Sequence, residues 1–216
     1  ENGFLSDDGV VVRLAEDTWL CHTTTGGADR IHAHMEDWLQ CEWWDWQVYT
    51  ANVTEQYAQI AVVGPNARKA LEKLGGMDVS KETLGFMDWA DGVIGGFNVR
   101  VYRISFSGEL AYEVAVPSSS ANEVWTALLD AGRPFGALPY GVDALNTLRI
   151  EKGHVTTAEL DGNASAHMLG FERMLKADGD YVGRVLAQRP ALTSPERAQL
   201  VGVRPTSPSA RLRTGS

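Results

Sequence analysis

An α+β fold with mixed, largely antiparallel sheets is the class this sequence predicts, and three observations carry it. Apolar stretches of strand character recur in pairs, the first being Gly9–Leu14 with Thr18–Thr25. Segments of helical period follow these pairs, without the strict strand–helix alternation of a parallel sheet. With 216 residues, 44% of them hydrophobic, the chain can bury one good core, or one domain and part of another.

Taken in order, Gly9–Leu14 is a valine-rich strand, and Thr18–Thr25 a second one closed by Gly26 and Gly27. Ile31, Met35, Trp38 and Leu39 then share one helical face. Strands are expected in Trp46–Ala51 and Tyr57–Gly64. Pro65-Asn66 opens a helix with Asn66 as its cap, apolar positions at Ala67, Ala70, Leu71 and Leu74, and Gly75 as its stop. The stretch Gly75–Gly92 reads as irregular, and strands follow in Phe97–Ser105 and Ala111–Pro117. Ser120-Ala-Asn-Glu123 is a capping box for a helix that carries Val124, Trp125, Leu128 and Leu129 and ends at Gly132. A last helix lies in Pro139–His154, where Leu145, Leu148 and Ile150 stand beside the charged turn at Arg149. One domain is expected over residues 1–190. Residues 191–216 end in a Ser-, Pro- and Arg-rich run and are expected as a linker and disordered tail. The start at Glu1, without methionine and almost directly into a strand, is expected of a fragment of a longer polypeptide.

Charge and composition exclude several functions. A formal charge of −9 argues against nucleic acid, whose binding needs basic surface to release counterions. No apolar run reaches the roughly 18 residues that a membrane span needs, and the acidic opening segment does not read as a signal peptide. Cys21 and Cys41 lack C-x-x-C spacing, which fits a reducing, cytoplasmic setting, so the sequons at Asn52 and Asn163 are expected to be chance matches. His32 and His34 lie two apart on a helix, hence about 200° around it, and cannot share an ion, so no metal is expected. No G-x-G-x-x-G, P-loop or G-x-S-x-G motif occurs, nor a credible Cys–His nucleophile pair.

Two segments carry the candidate chemistry. Arg103–Val114 (RISFSGELAYEV) places Glu109 and Glu113 on or beside a strand around a Ser-Gly turn, and Pro139–His154 supplies Arg149 from a helix. A carboxylate and a guanidinium from distant segments suit a planar ligand rich in N–H and C=O groups, and they suit a structural ion pair equally well. Asp7-Asp8 precedes the first strand. Neighbouring strand residues point to opposite faces, so at most one of the two can enter a shared pocket, and a solvated turn is the plain alternative. The hydroxyls of His22-Thr-Thr-Thr25, Thr24 among them, can line a pocket or serve an edge strand.

RISFSGELAYEV resembles the R-x-G/S-Y/F-T/S-G-E-x-G/A-F/Y-E signature of the aminomethyltransferase folate-binding family, which includes the glycine cleavage T-proteins. GVDALNTLRIEKGH is similar to the helix that follows it there, and SDDGVVVRL to an early strand with an essential aspartate. More narrowly, HTTTGGADRIHAHMEDWLQCEW, TEQYAQIAVVGPNARKAL, LDGNASAHMLGFERML and DYVGR, in this order, resemble the carboxy-terminal region of the alpha subunits of heterotetrameric sarcosine oxidases. The likeness runs from Asn2 to about Pro205.

The resemblance implies ferredoxin-like folate-binding modules, followed in the family by a small β-rich domain of which residues 191–216 are expected to be only a linker and truncated start. It implies that Asp8 is the catalytic aspartate, orienting the reactive ring nitrogen of tetrahydrofolate and accepting protons. Glu113 would hold the edge of the pterin, Arg149 its carbonyl or a site carboxylate, and Phe106 would stack on it where the family often has tyrosine. Glu109 follows the turn glycine Gly108 and is either a ligand residue or a solvated turn glutamate. The negative charge is awkward for the anionic glutamyl tail of folate, and Arg149 and Lys152 are the nearest local cations. The implied reaction transfers the methylene of the imine formed by sarcosine oxidation to tetrahydrofolate, giving methylene-tetrahydrofolate and glycine. Flavin and NAD would be bound only in the complete enzyme, by other segments, and the partners would be the other sarcosine oxidase subunits. The alternatives are a glycine cleavage T-protein-type aminomethyltransferase and a non-catalytic folate-binding module. The iron–sulfur assembly branch of the fold carries Lys-Gly-Cys-Tyr after the Arg-containing helix, where this sequence reads EKGHVTT without cysteine.

Overall fold

The computed structural model describes residues 2–176, 178–207 and 209–211. It divides into two compact units: Thr23–His154, and a second formed by the segments Glu1–His22 and Val155–Ser216.

In the Thr23–His154 unit, β3 (Tyr57–Val63), β4 (Trp89–Ile94), β5 (Phe97–Tyr102) and β6 (Ala111–Pro117) form one sheet in the order β3-β6-β5-β4. Every pairing in it is antiparallel. Side chains alternate along a strand, so the register sorts them between two faces. Ile60 and Val62 of β3, Val99 and Val101 of β5, and Tyr112, Val114 and Val116 of β6 turn to the same face. There they pack with Ala67 and Leu71 of α2 (Ala67–Leu74) and Val124 and Leu128 of α3 (Ala121–Gly132). Val101, Tyr112, Val114 and Val116 are wholly buried. Each such side chain is worth about 1.5–3 kcal/mol of transfer free energy, so this face sets the register. Arg68 of α2 ties the layers together, with Nε donating to Tyr112 Oη at 2.8 Å and to the Val79 carbonyl at 3.1 Å. The predicted α+β class with largely antiparallel sheets is what the chain forms.

Several local expectations are corrected. Trp46–Ala51 is not a strand. Trp46 packs locally instead: it stacks on Trp43 at 4.7 Å and 7°, and Trp43 lies 5.0 Å from Trp38 of α1 (Ala28–Cys41). Thr50 adds polar ties to α1, donating to Glu36 and lying 3.0 Å from His32 Nε2. β4 covers Trp89–Ile94, inside and just beyond the stretch read as irregular. It joins β5 through a two-residue Gly95-Gly96 turn with φ of 59° and 89°, the positive values that such hairpins require. Ser120 and Asn66 make no side-chain cap bond; Ser118–Ser120 forms a 3₁₀ turn in front of α3 instead. In α4 (Val142–Lys152) the buried residue is Arg149, while Ile150 is exposed.

In the other unit, β1 (Val10–Arg13) pairs with β2 (Trp19–His22) as an antiparallel hairpin, closed by Leu14 N–H donating to the Thr18 carbonyl at 2.8 Å. Leu5 N–H donates to the Ala164 carbonyl at 2.9 Å, next to buried Ser165 and Ala166. Two short helices follow, α5 (Arg184–Ala187) and α6 (Pro190–Thr193), and Leu192 of α6 is buried. The stretch read as linker and tail thus opens within α6, and its residues 212–216 lie outside the described residues. Among the described residues no helix is long and apolar enough to cross a membrane. Cys21 and Cys41 are exposed and unbridged.

Candidate functional site

The face of the sheet turned away from α2 and α3 carries the polar residues. Glu113 of β6 stands opposite Ala61 of β3 on one side and Tyr102 of β5 on the other, and Tyr102 in turn faces Trp89 of β4. One rung along, Gln59, Ala115, Arg100 and Asp91 form the next row. The alanines 61, 111 and 115 around Glu113 project little from the sheet, which leaves the carboxylate as the group that reaches furthest from its strand.

Glu113 is half-buried, and burial raises its pKa above the usual carboxylate range. A hydrogen bond from Gln59 Nε2 to Glu113 Oε2 acts the other way. Tyr140, in the turn before α4, has its pKa raised first by burial and then by the charge of Glu113. Tyr102 is almost fully buried, and its phenol is pushed up by desolvation, with the nearby Arg100 guanidinium as the main opposing influence. Arg100 itself makes a two-pronged pair with Asp91 (2.7 and 2.8 Å) and lies over the Trp89 ring at 5.1 Å, and the Asp91 bond raises its pKa.

The segments Arg103–Val114 and Pro139–His154 lie against each other. The ring of Phe106 meets that of His154 edge-on at 4.5 Å, and Lys152 Nζ donates to the Ser105 carbonyl. Between them the chain turns tightly at Gly108 (φ 92°), with Ser105 Oγ accepting from Gly108 N–H at 2.9 Å and donating to the Glu109 carbonyl at 2.6 Å. A side chain at 108 would meet Lys152 at 3.4 Å. Gly153 (φ 80°) ends α4 in the left-handed form and turns the chain so that Arg149 Nη1 donates to the His154 carbonyl at 3.3 Å.

The sequence-derived candidates are therefore distributed as follows. Glu113, Glu109, Phe106, Arg149 and Thr24 belong to the Thr23–His154 unit, and Asp8 to the other one. Phe106 and Arg149 both touch His154, and Glu113 has Tyr140 in electrostatic reach. Glu109 is exposed on the turn, and Thr24 precedes the 3₁₀ turn Thr25–Gly27 with its carbonyl accepting from Gly27 N–H at 2.9 Å. The half-buried Asp8 accompanies Asp7, whose Oδ1 accepts from Asp8 N–H at 2.8 Å. Sequence reasoning passed over Gln59, Tyr102 and Tyr140. The available signal for Gln59 was an amide within the otherwise apolar run Ala58–Val63. On α1, His32 engages Thr50 and lies 4.0 Å from Glu36, while His34 sits edge-on to Trp38. Among the described residues no group of three or more His, Cys, Asp or Glu is arranged to hold a metal ion.

A family described as the GCVT N-terminal domain matches residues 1–179. The alpha subunit of sarcosine oxidase from Rhizobium meliloti (strain 1021) is 43% identical over 219 residues, spanning 100% of this chain and 22% of that protein. The alpha subunit of sarcosine oxidase from Corynebacterium sp. (strain P-1) is 41% identical over 218 residues, again 22% of its length. An aminomethyltransferase of Koribacter versatilis (strain Ellin345) is 31% identical over 207 residues, covering 94% of this chain and 53% of its own. The chain thus spans about a fifth of the sarcosine oxidase relatives and about half of the aminomethyltransferase. In fold it is similar to the glycine cleavage system aminomethyltransferase T from Bartonella henselae, with a TM-score of 0.75 at 20% identity over 92% of this chain and 52% of that one. The antiparallel sheet, the ordered motifs and a match over most of the chain converge on one conclusion: the chain belongs to the GCVT N-terminal domain family.

Proposed function

We propose that this chain is the tetrahydrofolate-binding, methylene-accepting part of a sarcosine oxidase alpha subunit. The observation that carries the reading is Glu113. It is a half-buried carboxylate on the sheet face opposite the core, with Ala61 beside it on β3 and Tyr102 on β5, and bonded by a single amide among the described residues. Holding such a group away from water is costly unless a ligand supplies N–H donors. The aminopyrimidine edge of a pterin supplies them in pairs. The family membership and the sarcosine oxidase relatives support the same reading.

In this reading Glu113 accepts hydrogen bonds from the pterin edge, and Phe106, packed on His154, offers a ring beside it. Arg149 fixes the end of α4 and supplies positive charge against the acidic whole. Asp8 orients the folate nitrogen and takes up protons. Folate contributes two N–H groups that exchange their hydrogens for one carbon. The imine of oxidised sarcosine loses its methylene to those nitrogens, and both hydrogens end on the departing glycine nitrogen. In the absence of folate, water takes the carbon as formaldehyde. Flavin and NAD are bound by other segments of the complete enzyme, in a cytoplasmic assembly with the other subunits.

The glycine cleavage reading, in which a lipoyl-carried aminomethyl group is the donor, is favoured by the 31% identity to an aminomethyltransferase. Calorimetry with tetrahydrofolate under anaerobic conditions, on the full-length protein, tests the proposal. Saturable 1:1 binding is expected, together with sarcosine-dependent peroxide formation. Absence of binding overturns the folate reading, and binding with lipoyl-dependent turnover instead of peroxide selects the second reading.

A further inference from the structure

We propose that Gln59 is a positioning residue of the folate site, its side-chain amide holding Glu113 in one orientation and leaving Oε1 of that carboxylate for the ligand. The inference rests on the folate reading and adds a residue to it. Register brings the two together: Glu113 faces Ala61, Ala115 faces Gln59, and the amide reaches diagonally across one rung on the site face of β3 and β6. Nε2 of Gln59 donates to Oε2 of Glu113, and among the described residues no second hydrogen bond engages that carboxylate. An ionised carboxylate only accepts, so the amide must turn its nitrogen towards Glu113 and its carbonyl outwards. The pair then presents an acceptor on each side chain plus the second N–H of the amide.

The electrostatic surroundings make this bond consequential. Burial works against the charged form of Glu113, and the Gln59 donor works for it. Tyr102 faces Glu113 directly from β5, Tyr140 approaches from the turn before α4, and Tyr57 lies on the same face of β3. The nearest full charges on the face, Arg100 and Asp91, are paired with each other one rung away. The neutral amide of Gln59 is the group that favours the charged form of Glu113. Ligand binding through the carboxylate is present above its pKa and lost as pH falls through it. Removing Gln59 raises that pKa and so moves the loss to higher pH.

The test uses the full-length protein and measures tetrahydrofolate affinity from pH 5 to 8 for wild type, Gln59→Leu, Gln59→Glu and Glu113→Gln. Gln59→Leu is expected to bind about tenfold more weakly at neutral pH, the scale of one bond to a charged group, and to lose affinity at higher pH than wild type. Gln59→Glu, which sets a second carboxylate beside the first, is expected to move the midpoint further in the same direction. Glu113→Gln should bind weakly with no such midpoint. Gln59 is exposed, so its variants should still unfold in one cooperative transition, with any loss of stability growing as pH rises and Glu113 ionises. An unmoved midpoint in both Gln59 variants, with Glu113→Gln impaired, overturns the role of Gln59 and leaves the folate reading standing. Absence of tetrahydrofolate binding by wild type overturns both.

Discussion

Phe106 and His154 meet edge to face, with ring centroids 4.5 Å apart and planes at 69°. They come from positions 48 residues apart in sequence (154 − 106) and join the glycine turn after β5 to the end of α4. An edge-on aromatic pair is worth about 0.5–1.5 kcal/mol beyond the area it buries. A double-mutant cycle of Phe106→Ala and His154→Ala, read by urea unfolding, should return a coupling in that range. Additive effects would mean that Lys152 and the Ser105 carbonyl hold the two segments without the rings. Phe106→Tyr, which keeps the ring, should leave unfolding within about 0.5 kcal/mol of wild type.

Glu113→Gln is expected to trade binding for stability. Burial raises the folded-state pKa of Glu113, so its contribution to stability is present below the unfolded pKa and is lost as pH rises through the folded value. At neutral pH the charged group therefore opposes folding, and the amide relieves this. The melting temperature of Glu113→Gln relative to wild type should be higher at pH 7 than at pH 4. Folate affinity should fall by roughly 1.5–3 kcal/mol, and Glu109→Gln, on an exposed turn residue, should change it far less. Equal losses in the two variants would mean that the pterin is held elsewhere.

Arg149 is buried at 7% exposure, and its Nη1 donates to the carbonyl that follows the helix-ending glycine. Arg149→Met keeps most of the apolar stem but removes the charge-assisted bond to the His154 carbonyl. The expected cost is about 2–4 kcal/mol in chemical denaturation. Arg149→Lys should recover only part of it, because an ammonium cannot reproduce the planar fork. Full recovery by lysine would reduce the role of Arg149 to charge alone.

Under the proposed function, Asp8→Asn should separate methylene capture from amine oxidation. The amide keeps the volume of the side chain and removes the base. Peroxide production should continue, while the product shifts from methylene-tetrahydrofolate towards formaldehyde, with capture slowed by about a hundredfold or more. Peroxide, formaldehyde and methylene-tetrahydrofolate are measured together at saturating tetrahydrofolate. Peroxide and methylene-tetrahydrofolate falling in step would assign Asp8 to oxidation or assembly, and no change at all would make it a solvated turn residue.

Much of this architecture was legible in the sequence because burial writes a period into it. The alternation in Tyr57–Val63 and Ala111–Pro117, and the apolar positions at Ala67, Ala70, Leu71 and Leu74, mark β3, β6 and α2 where they stand. β4 escaped because Asp91 and Gly92 interrupt its apolar pattern, and the reason for Asp91 is a cross-strand arginine that sequence alone cannot pair with it. Trp46–Ala51 misled because aromatic and β-branched residues favour strands only where a partner strand exists; here Trp46 stacks on Trp43 and Thr50 bonds to α1, while Val48 and Tyr49 are exposed. Gln59 acquires meaning only from register, since its neighbour on the sheet is 54 residues away.

The seven residues of β6 answer to two masters. Tyr112, Val114 and Val116 are committed to the oily layer beneath, where a lost methylene is felt at once. Ala111, Glu113 and Ala115 face the other way; the two alanines are buried as well, and of the three only Glu113 is half-buried. Position 113 can therefore change its side chain, and with it what that face recognises, while the lower surface keeps the scaffold standing. Such a division of labour within a single strand separates what holds the domain together from what it presents to a ligand.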